Sequence, residues 1–340
     1  MSSVGKSLPL LEDCRVLVTG GAGLIGSAVV WSLNRRGCDK IVVTDRLGAT
    51  GKWRHLAALR FHDYLEADDV LSRLRSGGLG AFDLVLHLGA CSSTTERDAT
   101  YLMRNNFEYS KELAAWALAQ DARFVYASSA ATYGDGGAGM SDETCDVQGL
   151  RPLNAYGFSK HLFDRYAAAH GFIERIAGLK YFNVFGPNED HKGDMRSMVL
   201  KAWEQVRSSG RIELFKSHHP EYRDGEQQRD FLYVKDAAAM TLHVACRNEA
   251  TGLFNIGSGQ AHTWLDVARS VFDAMGQEPH IAFIEMPLAI RDAYQYFTQA
   301  DIQKLRATGY LAAITPLCTA VRDYVTKYLV PGKVLEPDVP

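Results

Sequence analysis

Short apolar runs rich in Val and Leu alternate with stretches of helical spacing through the first half of the chain. "CRVLVTG" reads as a buried parallel strand, and "LIGSAVVWSLNRRG" after it as a helix ending at Gly37. "KIVVTD", "FDLVLHLGA" and "ARFVYASS" repeat the strand pattern, with helix-like segments such as "NNFEYSKELAAWALAQ" between them. Strands alternating with helices predict an α/β fold: a Rossmann-type doubly wound parallel sheet. "YFNVFGPNEDHKGDM" (Tyr181–Met195) begins as one more apolar strand-like run and breaks at Gly186-Pro187. Polar loops then lengthen, notably Lys216–Asp230, before "FLYVKDAAAMTLHVA" resumes as strand plus helix and "GLFNIGSG" as a short strand. This predicts a smaller mixed α/β C-terminal substrate domain interleaved with the first. Residues 1–183 plus about 231–256 form the dinucleotide-binding unit, and 184–230 plus about 257–340 the substrate unit.

The chain has 340 residues, enough for one large domain or two coupled ones. A net charge of −3, from 37 Lys plus Arg against 40 Asp plus Glu, gives no electrostatic reason to expect nucleic acid or an anionic membrane. No run approaches the ~18 apolar residues of a membrane span, and the N-terminal apolar patch is too short for a secretory signal. Six scattered cysteines form no C-x-x-C pair, which argues against a disulfide framework or zinc site and for a reducing cytoplasm. His218 and His219 read as solvated loop histidines, since no Asp, Glu or Cys partner has ligand spacing, so no metal is expected. Tyr181, Phe182 and Phe185 read as core.

Chemistry enters with "TGGAGLIG". Gly20, Gly23 and Gly26 sit three apart at a strand-to-helix turn. Glycine permits the tight turn and a close backbone approach, and the helix N-terminus offers free N–H groups to a pyrophosphate. A plain tight turn would look similar. However, Asp45 ends the second strand 19 residues past Gly26, near the ribose-binding spacing of a dinucleotide fold. Asp45 suits a ribose 2′-hydroxyl and repels a 2′-phosphate. Arg46 and Lys52 either accommodate that phosphate or are surface charges. The balance favours NADP, with NAD as the alternative.

"YASSAATYG" (Tyr126–Gly134) carries Ser129 at the carboxyl edge of the predicted sheet. Tyr156 and Lys160 follow four apart, on one helical face. An ammonium beside a phenol lowers the phenol's pKa, and a phenolate can take the proton of an alcohol while hydride leaves its carbon. Ser129 is placed to bond the reacting oxygen.

These motifs resemble the extended short-chain dehydrogenase/reductase superfamily. "HLGACSSTTERD", "NNFEYSKEL", "YASSAATYG", "YFNVFGPNEDHKG", "RDFLYV", "GLFNIGSG" and "YQYFTQADIQKLRATGY" are together similar to the ADP-glyceromanno-heptose 6-epimerases, over roughly residues 14–330. The resemblance implies a redox-neutral isomerase that inverts C6 of the heptose of ADP-D-glycero-β-D-manno-heptose through a 6-keto intermediate, with tightly bound NADP. It implies a homo-oligomer acting on a nucleotide sugar, with no nucleic-acid or membrane partner. Tyr156 and Lys192 become the two acid/base groups, since the reacting oxygen occupies two places and one base serves the second poorly. Lys160 positions the cofactor ribose and tunes Tyr156. Leu24, Ile25, Asp45, Arg46, Lys52, Leu88, Gly89, Ala90, Cys91, Ser92, Asn105, Lys160 and Val184 match cofactor positions. Ser129, Asn183, Lys192, Phe215, Arg229 and Tyr294 match substrate positions, and Asp194 and Lys201 stand where small or polar contacts are found in the family. Without the resemblance, Arg229 reads as a surface arginine beside Asp230, and Lys192 as a solvated loop lysine. Arg46 and Ala67 also depart from the family pattern, and the Lys216–Gln228 loop is longer than in some members. A 4,6-dehydratase would need acidic residues where Ala130, Ala131 and Thr132 stand. A UDP-sugar 4-epimerase shares Tyr156 and Lys160 but has no need of Lys192. A noncatalytic NADP-sensing regulator is the third alternative.

Overall fold

A computed structural model describes Leu8 and residues 10–142, 147–291 and 294–337. Cys145 lies outside them; the other five cysteines form no disulfide among the described residues. No helix among the described residues is long and apolar enough to cross a membrane.

The strands in chain order are β1 Val16–Thr19, β2 Ile41–Asp45, β3 Asp63–Glu66, β4 Leu84–His87, β5 Arg123–Ser129, β6 Ala177–Tyr181, β7 Asn183–Phe185, β8 Ile212–Phe215, β9 Gln228–Tyr233, β10 Gly252–Ile256, β11 Ala261–Thr263 and β12 Ile281–Ile284. Seven form one parallel sheet in the order β3-β2-β1-β4-β5-β6-β10. The chain order reverses between β1 and β4. In such sheets the crevice at the carboxyl ends beside that reversal takes the ligand.

Both faces of the sheet are covered, which is why its central strands are apolar throughout rather than alternating. Val16 and Val18 point into one core with Ala28, Val29 and Leu33 of the helix Leu24–Asn34 and with Ala237 and Leu242 of the helix Val234–Ala245. Leu17 points the other way, into a second core with Leu113, Ala117, Phe163 and Ala167 of the helices Tyr109–Ala119 and Ala155–Ala169. Tyr181, Phe182 and Phe185 are buried, as their apolar character predicts.

Two differences from the sequence reading have physical reasons. β3 is legible only weakly, because of its four residues Leu65 alone is buried. The run from Tyr181 is also not one strand. β6 ends at Tyr181, the Phe182 N–H donates to the Ile256 carbonyl at 3.0 Å, and β7 joins a separate sheet in the order β11-β9-β7. Hydrophobicity does not mark this jump between sheets, because Tyr181 and Phe182 before it and Phe185 after it are all buried. β8 and β12 pair as a third, two-stranded sheet.

Candidate active site

The glycine turn is built by backbone contact. Gly20 takes φ +67°, and a Cβ there would lie 2.6 Å from the Cα of Gly89, the residue two past β4. A side chain at Gly26 would overlap the Gly20 carbonyl, so the helix starts as close to the strand as a chain can come. Asp45 closes the turn from the side. Its Oδ2 accepts the Ala22 N–H at 2.9 Å, and its Oδ1 accepts the Arg46 N–H at 2.7 Å and the Lys52 ammonium at 2.6 Å. Arg46 forks onto Asp68 and reaches Asn105 Oδ1 at 2.5 Å. These side chains line one cleft with Thr19, Ala67, Gly89, Ala90 and Cys91. The cradle fits a dinucleotide, because no side chain intrudes at Gly20, Gly23 or Gly26 and the helix Leu24–Asn34 starts at it, a terminus that favours a pyrophosphate.

A polar web missed at the sequence level holds the far wall. The Gly89 N–H donates to Thr19 Oγ1 at 3.0 Å, Thr19 contacts His87 Nδ1 at 2.7 Å, and His87 Nε2 contacts Ser110 Oγ at 2.8 Å. Ser110 gives its own proton to the Asn106 carbonyl, so His87 donates through Nε2 and accepts at Nδ1. Burial, and next the nearby Lys160, push its imidazole down to about 3, in keeping with that neutral tautomer. Asn106 is the other organiser. It brackets Cys91, accepting its N–H and donating to its carbonyl at 2.9 Å each, and it donates to Ser159 Oγ. Ser159 in turn donates to the Tyr156 carbonyl at 2.7 Å. Asn105 matches a cofactor position in the sequence, but its buried neighbour Asn106 ties the loop after β4, Leu88–Ser92, to the Tyr156 helix.

Asn154 caps that helix by accepting the Gly157 N–H at 2.8 Å. The Tyr156 side chain hydrogen-bonds Ser129, the last residue of β5, and Ser129 Oγ also accepts the Ala131 N–H at 3.1 Å. The expected lowering of the Tyr156 pKa by Lys160 is not found. Burial raises the phenol above its ordinary value and outweighs the opposing Ser129 bond. The phenol therefore rests protonated. Lys160 is 4% exposed, and burial pushes its ammonium down to about 8 against the pull of Asp164. One turn further along the same face, Asp164 pairs with Lys180 at 3.0 Å with both side chains fully buried, and it accepts the hydroxyls of Tyr126 and Ser128 at 2.8 Å each. Removing one partner of such a pair costs about 3–5 kcal/mol.

Lys192 lies on the turn Asp190–Met195 and is half-buried, so it is not the solvated lysine of the bland reading. Burial lowers its ammonium below the ordinary value, opposed by the fully buried Glu189. Glu189 accepts the Ser197 N–H and hydroxyl at 2.6 Å each. The turn meets the cofactor loop where Thr94 Oγ1 lies 3.7 Å from Met195 Sδ.

Arg229 is 7% exposed, which overturns its reading as a surface arginine beside Asp230. Its guanidinium lies 5.2 Å over the Tyr294 ring and donates to the carbonyls of Gln228 and Gln295. Asp230 is engaged elsewhere, accepting the N–H groups of Ser258, Gly259 and Ala300. Asn183 and Asp194 are exposed, while Val184, Phe215 and Lys201 are half-buried, the last donating to the Asp194 carbonyl at 2.6 Å. Leu24 is buried, Ile25, Leu88 and Ala90 are half-buried and Ser92 is exposed. His218 lies 3.4 Å from Glu285, and His219 packs on Tyr222 and Tyr296, so neither meets ligand-type partners in number. His55, Asp190 and His191 are the one group of metal-ligating types found clustered among the described residues.

A parallel sheet with a glycine-turn cradle at its reversal, and a Ser–Tyr–Lys set at the next strand end, define an enzyme of the nucleotide-cofactor dehydrogenase class. The chain belongs to the NAD dependent epimerase/dehydratase family, whose profile matches residues 16–257. It is 48% identical over 314 residues to the ADP-L-glycero-D-manno-heptose-6-epimerase of Nitratidesulfovibrio vulgaris, covering 92% of this chain and 97% of that one. The crystal structure of the Helicobacter pylori enzyme of the same name superimposes with a TM-score of 0.79 at 27% identity, over 94% of this chain and 97% of that one. The Thermus thermophilus UDP-glucose 4-epimerase, solved in complex with NAD, gives 0.73 at 26% identity over 92% and 97%. The family carries a nicotinamide cofactor, and the residues present fit one. The Lys160 ammonium, buried and without a hydrogen-bond acceptor among the described residues, is suited to ribose hydroxyls.

Acceptors that prefer the charged lysine raise its pKa, so cofactor binding should take up protons above pH 8, where free Lys160 has lost its own. Affinity should fall as pH rises through that value. Calorimetry in buffers of different ionisation heat measures the uptake, which Lys160→Met should abolish. Binding with no proton uptake by the unaltered chain would contradict the assignment.

Proposed function

We propose that this chain inverts carbon 6 of the heptose in ADP-D-glycero-β-D-manno-heptose, giving the L-glycero epimer without net redox change. Bound NADP supplies a reversible hydride acceptor. The observation that carries the reading is the pairing of a protonated Tyr156 with a half-buried Lys192 shifted toward neutrality. Burial favours the neutral form of each group: the phenol holds a proton to give, and the lysine is biased toward the form that accepts one. Inversion presents both faces of one carbon, so the oxygen on that carbon needs a proton partner in each of two poses. Ser129 holds the oxygen in the pose nearest Tyr156. Arg229, stacked on Tyr294, reads diphosphate oxygens bidentately. The cofactor is assigned to residues 1–183 plus about 231–256 and the nucleotide sugar to the remainder. A reducing cytoplasm suits five cysteines that form no disulfide among the described residues.

A UDP-sugar 4-epimerase is the second reading, favoured by shared architecture. It leaves the environment of Lys192 without a purpose. Ala130, Ala131 and Thr132 carry no carboxylate for a dehydratase, and Thr132 is committed to the Ser129 carbonyl and to Lys180. With the heptose substrate followed at C6 by NMR, the unaltered chain should invert. Tyr156→Phe and Lys192→Ala should each be slower by roughly 10²–10⁴-fold. Full activity in Lys192→Ala, or turnover confined to UDP-sugars, would end the heptose reading.

NADP is preferred to NAD on the charges at the ribose end. Lys52 neutralises Asp45, the group that would repel a 2′-phosphate, and Arg46 projects into the same cleft. Charge-assisted bonds are each worth about 1.5–3 kcal/mol, roughly ten- to a hundredfold in Kd. Lys52→Ala and Arg46→Ala should therefore weaken NADP by about tenfold or more and leave NAD unchanged in a fluorescence titration. Equal losses for both cofactors would remove the preference.

A further inference from the structure

His55 plays no part in the chemistry described so far, yet it joins the two halves of the site. It ends the short helix Lys52–His55, and its side chain is fully buried. Nδ1 lies 2.7 Å from the Ala22 carbonyl, in the middle of the glycine turn. Nε2 lies 2.7 Å from Asp190 Oδ1, two residues before Lys192. A carbonyl only accepts, so Nδ1 carries a proton. Asp190 is held below the ordinary carboxylate range, first by its bond from His55, so its oxygen also only accepts and Nε2 carries a proton too. A neutral imidazole has one N–H and satisfies one of these partners. The ring that satisfies both is the imidazolium.

We propose that His55 is a positioning residue, an imidazolium that clamps the Lys192 turn to the cofactor-binding glycine turn. The line of bonds is continuous. Asp45 accepts the Ala22 N–H, Ala22 accepts His55 through its carbonyl, and His55 donates to Asp190. Both polar groups of the Ala22 peptide are thereby fixed. The turn's other bonds hold its later residues and its backbone, not the Asp190 side chain: Lys201 donates to the Asp194 carbonyl at 2.6 Å, Thr94 meets Met195, Arg196 donates to the Gly193 carbonyl, and the Lys192 N–H donates to the Glu189 carbonyl at 3.1 Å. Without His55, the Asp190 carboxylate would lose its bond, and the start of the turn, two residues before Lys192, would lose its link to the glycine turn. A misplacement of about 1 Å in a catalytic group can cost on the order of 10²-fold in rate.

The groups facing His55 are Asp190 and His191 from the turn, Lys52 from its own helix, the Ala22 carbonyl from the glycine turn, and Lys192 beyond His191. The same trio of His55, Asp190 and His191 has metal-ligating atoms within 4.8 Å of one another. A first-row ion is disfavoured there. Two ligands each about 2.0–2.1 Å from a tetrahedral ion stand roughly 3.3 Å apart, wider than the 2.7 Å found. Lys52 and Lys192 also add two cations beside the position it would take.

The proposal rests on Lys192 acting in the site, and its primary readouts need no turnover. Nitrogen-correlated NMR of the whole chain, labelled at histidine and assigned with His55→Gln, should show both ring nitrogens of His55 protonated at neutral pH. Hydrogen exchange over Asp190–Met195 should rise in His55→Gln and Asp190→Ala alike. The double variant should be no faster than either single one, since both remove one link. Asp190 is exposed, so Asp190→Ala tests the clamp even where replacing the buried histidine unfolds the chain. In the heptose assay both variants should lose about 10–100-fold in kcat. A singly protonated His55 ring, additive exchange in the double variant, or stoichiometric metal retained by the purified chain would each overturn the proposal. Normal exchange changes with an unaffected kcat would instead count against the role of Lys192 while leaving the clamp intact.

Discussion

Everything at this site is measured from one backbone-on-backbone contact. The turn after β1 touches the segment after β4 at Gly20 and Gly89, too closely for any side chain at Gly20. That contact is possible because β1 and β4 are neighbours in the sheet although far apart in sequence. It brings the start of the helix Leu24–Asn34, the cofactor loop Leu88–Ser92 and the end of β5 to one edge. A single methyl group at Gly20 or Gly26 would push these parts away from one another. The polar bonds around the turn then act on a geometry that packing has already set.

Tyr156 and Lys160 are held by two layers of buried polar structure. Asn106 and Ser159 lock the backbone of the Tyr156 helix to the cofactor loop. Beneath Lys160, Asp164 accepts from Tyr126, Ser128 and Lys180, and Lys180 also donates to Thr132. A buried ion pair adds little net stability, but it fixes where its neighbours stand, and here those neighbours are Ser128, Tyr126 and the face that carries Tyr156 and Lys160. Burial does the electrical work as well. It raises Tyr156 and lowers Lys160 and Lys192, which brings all three toward their neutral forms. For the two lysines this is a move toward the operating pH, where a general base works best, and for the phenol it keeps the proton that a general acid gives.

Much of this is legible in the sequence where the signal is local. The glycine spacing, the Val-rich strands and the four-residue step from Tyr156 to Lys160 each report a short-range rule. What sequence does not report is pairing across long separations. Asn106 meets Ser159 over 53 residues, Thr19 meets His87 over 68, and His55 meets Asp190 over 135. No period announces these partners, because folding brings them together only through the sheet order. Arg229 fails for a related reason. Its neighbour Asp230 suggests a surface pair, but the strand alternates and sends the two side chains to different partners. The lowered pKa expected for Tyr156 is missing because the phenol is buried, and a four-residue spacing reports the neighbouring ammonium but not that burial.

The central claim is that hydride leaves one carbon of the sugar and returns to that same carbon. A substrate deuterated at C6 tests it most directly, with product examined by mass spectrometry and NMR after turnover in ordinary water. The account predicts inverted product that keeps its deuterium at C6. Deuterium lost to solvent during inversion would contradict it, since that result requires C6 to exchange as a proton rather than as a hydride.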